Sequence, residues 1–175
     1  NSKCVNGERL IPTALIDVAG LVPDAWQGEG LGNQFLNDTM QAKALVHVLD
    51  VSGSTDIEGN PVSAGSHDPA EDVKFLEGEI DYWIKSILEK NWLKLSKQAT
   101  LEPANCAEVL AGQLSGLGIT VEDVKAVMVK HSFSSRPAEW ADNELLSFSS
   151  KIRQMSKPLL IAANKIDLQS SQAKL

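Results

Sequence analysis

Three short apolar runs each stop at a loop of Asp, Asn or Gly, and this repeated arrangement constrains the chain more than any other feature. Pro12–Asp17 runs into Val18-Ala19-Gly20, Lys43–Asp50 into Val51-Ser52-Gly53, and Lys157–Ala163 into Asn164-Lys165-Ile166-Asp167. A strand that is apolar at consecutive positions is one covered on both faces, as in the parallel sheet of an α/β fold. Ligands of such sheets bind beyond the carboxyl ends of the strands. Three polar loops at three such ends therefore gather the candidate chemistry along one sheet edge.

Roughly a hundred residues separate the second run from the third, where a parallel crossover needs only about a dozen. The excess reads as helices. Asp68-Pro69 has the composition of an N-cap followed by Pro in the first turn. Behind it Val73, Leu76, Ile80, Trp83, Ile84, Ile87 and Leu88 recur at helical spacing, predicting a long amphipathic helix to about Asn91. Further helices are predicted over 104–114, 121–130 and 142–155, with Gly116 and Gly118 breaking the first from the second. A short helix over 31–41 and a mobile Gly- and Ser-rich loop over 52–66 complete the pattern. The predicted organisation is an α/β core from residues 1–55 and 156–175, with an α-helical subdomain of residues 56–155 inserted into it.

Bulk composition narrows the class without giving the function. The net charge of −7 argues against a broad polyanion-binding surface. No apolar run is long enough to span a bilayer and none resembles a signal peptide, so no membrane partner and a cytoplasmic location are expected. Cys4 and Cys106 are far apart and not in a C-x-x-C pattern, which favours two reduced thiols over a disulfide or zinc site. Nothing in the sequence sets an oligomeric state.

Asn164-Lys165-Ile166-Asp167 is the sharpest chemical signal. At the end of a buried strand, the Asp167 carboxylate can accept from both N–H donors on the Watson–Crick edge of guanine, a pair that adenine lacks. Asn164 would tie the loop to the phosphate side of the site, and the apolar stem of Lys165 would lie along base and sugar. The alternative is a chance turn after a strand. Asp17-Val18-Ala19-Gly20 is its partner: a carboxylate able to hold a water of a Mg²⁺ shell, and a Gly20 amide able to approach a γ-phosphate closely. On its own D-x-x-G is weak, and a plain strand-to-loop turn is the competing reading. The glycines Gly28, Gly30 and Gly32 form either a switch segment ordered by that phosphate or a tight loop into the next helix.

Asp17-Val-Ala-Gly-Leu-Val-Pro23 followed by Gly28-Glu-Gly-Leu-Gly-Asn-Gln-Phe-Leu36 resembles the switch II signature of Obg-related GTPases, especially the YchF subfamily. The run Asp68–Trp83 resembles the long helical insertion of archaeal-type YchF-like members, and Ala162–Asp167 adds the base-specificity loop. The resemblance implies a P-loop GTPase-type parallel sheet, here incomplete, Mg²⁺ as cofactor, GTP and GDP as ligands, GTP hydrolysis, and association with ribosomes or translation factors. Departures accompany it. No G-x-x-x-x-G-K-[ST] phosphate loop is present, and there is no initiator Met, so upstream sequence is expected and the piece by itself is expected to be inactive. Asp24 and Trp26 stand where the family often has Gly and His. Many YchF proteins carry an altered specificity motif and prefer ATP, whereas this chain keeps Asp167, so guanine is expected. A second expectation, from another class, is a helical interaction module that binds a ribosomal or protein partner and no nucleotide.

Other residues have structural readings. His47 is expected as a hydrogen-bonded core residue, and His67 and His131 as solvent-facing. Trp83, Trp92 and Trp140 read as helix packing, and Glu77, Glu79 and Asp81 as a solvated face. Asp50 either faces the nucleotide side or caps its strand. Leu21 stands where Ras-like enzymes place a water-orienting Gln, and Leu cannot orient water by hydrogen bonding. Intrinsic turnover should therefore be slow; single-turnover hydrolysis by the intact protein without partners measures it, and a fast rate would contradict the assignment of Leu21.

Overall fold

The computed structural model describes residues 3–5, 8–10, 13–18, 25–27, 38–39, 42–168 and 171. Strands β1 (Lys3–Val5) and β2 (Glu8–Leu10) pair antiparallel, with Lys3 opposite Leu10. Between them the sequence reads Asn6-Gly7, a dipeptide favoured in two-residue hairpins. Strands β3 (Leu45–Asp50) and β4 (Leu159–Asn164) pair in parallel, in a register that sets Leu45 beside Leu159 and Asp50 beside Asn164. These are the second and third predicted strands.

Five α-helices occupy the crossover between β3 and β4: α1 (Pro69–Glu89), α2 (Trp92–Leu101), α3 (Cys106–Leu114), α4 (Val121–Lys130) and α5 (Asp142–Ser156). Their boundaries follow local chemistry. The Asp68 carboxylate accepts from Ala70 N at 3.1 Å, with Pro69 in the first turn of α1. Thr120 and Asp123 form a reciprocal capping box at α4. Gly118 has φ +69°, a left-handed stop that a side chain would resist, between α3 and α4. Helix α2 was not anticipated: it starts three residues after α1 ends, and its apolar positions continue the rhythm of α1.

The helices share one core. Ile84, Leu88, Leu110, Leu114, Val124, Val127, Phe148 and Ile152 have no accessible surface. Trp140 lies 5.1 Å from Phe148 and 6.0 Å from Trp92, centroid to centroid, so the packing roles expected for Trp83, Trp92 and Trp140 are met. Cys106 is buried in this core, which pushes its thiol up to about 11 and leaves it unreactive at neutral pH.

Several expectations fail, each for a physical reason. Residues 13–18 form no strand; Leu15 is 90% exposed, and among the described residues no neighbouring strand supplies the ladder a β conformation needs. Among the described residues, the β3–β4 pair is not covered on both faces. Leu45 packs against the helical core and shares its more buried side of the strand with His47 and Leu49, while Val46 and Val48 remain open, as do Leu160 and Ile161. The segment 52–66 is no loose loop: Gly65 N donates to Ser52 O at 2.9 Å, Val62 N donates to Ser54 O at 2.9 Å, and Thr55 bridges Pro61. His67 is drawn in from solvent by Asp72, 2.6 Å away. His47 is half-buried, but its Nδ1 has no hydrogen-bond partner among the described residues; burial lowers its pKa, against the opposing charge of Asp72. His131 is exposed, as expected.

The expected acidic face is the largest correction. Arg153 on α5 is buried, and its Nε donates to Asp81 Oδ1 at 2.6 Å while Nη1 donates to Glu77 Oε1 at 3.2 Å. Glu79 is buried as well. Alternating acids on a helix look like a solvated stripe until a partner helix brings a cation to them. Lys85 adds a second clasp, reaching Glu89 and Asp142 at 2.8 Å each. Removing one member of a buried ion pair strands the other. Arg153→Ala should therefore cost about 3 kcal/mol of stability in urea unfolding, and a loss below about 1 kcal/mol would show that the pair is solvated.

Candidate functional site

The parallel register of β3 and β4 brings the ends of two predicted strands side by side, with Asp50 next to Asn164. Val51 N donates to Asn164 O at 3.2 Å, which carries the pairing one step past the strand ends. Asp50 then acts as a hub. Its Oδ1 accepts from Ser52 N at 3.0 Å and from Ser52 Oγ; its Oδ2 accepts from Ser54 Oγ at 2.8 Å, Thr55 Oγ1 at 3.0 Å and Lys165 Nζ at 2.9 Å. Lys165 Nζ also donates to Ser54 Oγ at 3.0 Å. Burial works to raise the Asp50 carboxyl, but the hydrogen bonds from Lys165, Ser52, Ser54 and Thr55 outweigh it and hold the group well below the usual carboxylate range.

Lys165 is clamped along its length. Its backbone has φ +60°, an uncommon conformation for a residue with a side chain, which must be held in place by its surroundings. Lys165 N donates to Asn164 Oδ1 at 3.0 Å, Leu168 N donates to Lys165 O at 3.1 Å, and Ser171 Oγ donates to the same carbonyl at 2.7 Å. Asp167 follows in this turn and is exposed, as is Asn164. A loop of this shape presents the exposed Asp167 carboxylate beside a fixed lysine stem.

The predicted site residues are thus only partly brought together. Asn164, Lys165 and Asp167 lie in one turn, and Asp50 at the end of the neighbouring strand and Ser54 in the turn after it join them. Asp17 is exposed, and Val18 after it packs against the helical core. Gly20, Leu21, Gly28, Gly30 and Gly32 lie outside the described residues. Between them, Trp26 is anchored on α1: its ring stacks on Tyr82 at 5.5 Å, and its amide donates to Glu79 Oε2 at 3.1 Å. From sequence Asp50 fits either a strand cap or a site residue, and Ser52, Ser54 and Thr55 carry no motif of their own. The available signal was the crowding of hydroxyls just behind a strand-ending Asp.

No family model matches the chain. It is 52% identical over 167 residues to a GTP-binding protein of Methanocaldococcus jannaschii, covering 95% of this chain and 41% of that protein. Identity to the ribosome-binding ATPase YchF of Haemophilus influenzae is 29% over 156 residues, covering 81% and 42% of the two chains. The crystal structure of a GTP-binding protein from Pyrococcus horikoshii OT3 superposes with a TM-score of 0.81 at 41% identity, covering 98% of this chain and 45% of that one. The chain spans less than half the length of each of these relatives.

The Asp50 hub gives a test. Asp50→Ala should release both Lys165 and the 52–66 turn, so hydrogen–deuterium exchange over 52–66 should accelerate at least about tenfold, with 106–114 unchanged. Unchanged protection of 52–66 would mean that the hub does not hold the loop. The mostly helical structure with its small parallel sheet matches a GTP-binding protein fold, and the homologues of this chain are GTP-binding proteins related to YchF and Obg.

Proposed function

We propose that this chain is the base-recognition and switch portion of a guanine-nucleotide-binding GTPase, in which the 164–167 turn reads the base. The observation that carries this reading is the clamped Lys165 with an exposed Asp167 two residues on, at the carboxyl end of a parallel strand. Asp167 accepts the two guanine N–H donors, the Lys165 stem lines base and sugar, and Asn164 braces the turn. Asp50 and Ser54 hold Lys165 in place from the side. In the intact protein, GTP hydrolysis is Mg²⁺-dependent, and association with the ribosome in the cytoplasm follows the name of the YchF relatives.

Asp17 suits a water-mediated role at Mg²⁺, being an exposed hard oxygen donor. Among the described residues no group of three or more His, Cys, Asp or Glu side chains is placed to hold a metal. Nucleotide phosphates and waters would then complete the coordination, as is usual for Mg²⁺. Gly20 would meet the γ-phosphate, and the segment of Leu21, Gly28, Gly30 and Gly32 would respond to it as switch II. Residues 1–55 and 156–175 belong to the nucleotide-binding core in this reading, and 56–155 to the helical insertion.

The relatives carry both GTP-binding and ATPase names, so base choice is the discriminating property. Calorimetry on the intact protein should show GDP bound at least about a hundredfold more tightly than ADP, the worth of two charge-assisted hydrogen bonds. Asp167→Ala should abolish that difference. Equal affinities in the wild type would overturn the guanine assignment. A second reading, a helical module that docks on a partner without nucleotide, is favoured for the chain alone by its helical core, to which all five helices contribute.

A further inference from the structure

The α1–α2 junction carries a surface that the nucleotide reading does not use. Lys90, Lys94 and Lys97 line a shallow cleft of about 440 Å³ together with Trp92 and Leu93. The cleft's single acid, Glu89, already binds Lys85 at 2.8 Å. The three lysines are exposed and have no ion-pair partner among the described residues. On α2, Leu93, Lys94, Lys97 and Leu101 fall within an arc of about 100°, from the 3.6-residue turn. Leu95, Ser96 and Ala99, all buried, take the opposite side. Leu93 is 71% and Leu101 82% exposed. The 21 residues of α1 put this junction roughly 30 Å along the helix from its Asp68 cap, at 1.5 Å per residue.

We propose that this face of α2 docks an acidic amphipathic helix of a partner protein. Lysines alone would suit any polyanion. The leucines decide between partners: a phosphate backbone offers nothing apolar to Leu93 and Leu101, whereas an amphipathic helix with carboxylates flanking an apolar stripe matches both residue types. The overall charge of −7 does not oppose this, because charges beyond a Debye length of about 8 Å are largely screened at physiological salt. The lysines nearest the contact then set the local field. This inference stands independently of the nucleotide assignment.

Fluorescence anisotropy on the full 175-residue chain tests it. The probes are a labelled designed peptide of about five helical turns with a Leu stripe between Glu flanks, the same peptide with Lys in place of Glu, and a labelled RNA hairpin. The Glu peptide should bind and the Lys peptide should not. The double variant Lys94→Glu/Lys97→Glu should weaken the Glu peptide at least about tenfold, or about 1.4 kcal/mol. Leu93→Ser/Leu101→Ser should weaken it several-fold while leaving the salt dependence unchanged. All four positions are exposed, and unchanged melting temperatures would exclude misfolding as the cause. Failure of the Glu peptide to bind overturns the proposal. So does RNA binding that is lost in the lysine variant and untouched in the leucine variant, which would make this a nucleic-acid surface.

Discussion

The Asp50–Lys165 contact fixes the geometry on which the rest of the site depends. It joins residues 115 positions apart, from the end of one parallel strand to the turn beyond the next. Neither side chain would hold this arrangement alone. An isolated surface ion pair is worth little, but here one carboxylate accepts from three hydroxyls, an amide and an ammonium, and the lysine backbone is braced separately by Asn164 and Ser171. Each bond removes freedom from a different part of the loop. The result is a turn whose lysine is immobilised and whose Asp167 is left exposed.

The helices give that turn its foundation. A two-stranded parallel pair is marginal by itself, and β3 is held because Leu45 packs against the helical core, with His47 and Leu49 on the same, more buried side of the strand. Ion pairs between α1 and α5, through Arg153 and Lys85, fix the first and last helices of the crossover against each other. Trp26, within the stretch resembling switch II, rests on the same α1 through Tyr82 and Glu79. One helix therefore touches the sheet, the closing helix and the anchor of that stretch.

What was legible in the sequence was local. Asp68-Pro69 and Gly118 marked helix limits because capping is decided within a few residues. The strands 45–50 and 159–164 were legible from continuous apolar runs, as was the turn after the second. What the sequence hid was long-range. Glu79 and Asp81 looked solvated because their partners, Trp26 N and Arg153, lie more than fifty residues away. Asp50 could not be told from a strand cap, since Lys165 is brought to it only by the parallel register. The run Pro12–Asp17 had the composition of a strand, but a strand also needs a neighbour, and periodicity says nothing about neighbours.

The most direct measurement observes the Lys165 ammonium itself, by nitrogen-15 NMR on a protein of the relatives' full length. A slowly exchanging signal is predicted for Lys165, absent in Asp50→Asn, that shifts on addition of GDP and not of ADP. A Lys165 signal indistinguishable from that of exposed Lys94, or one indifferent to both nucleotides, would contradict the assignment of this turn to guanine recognition.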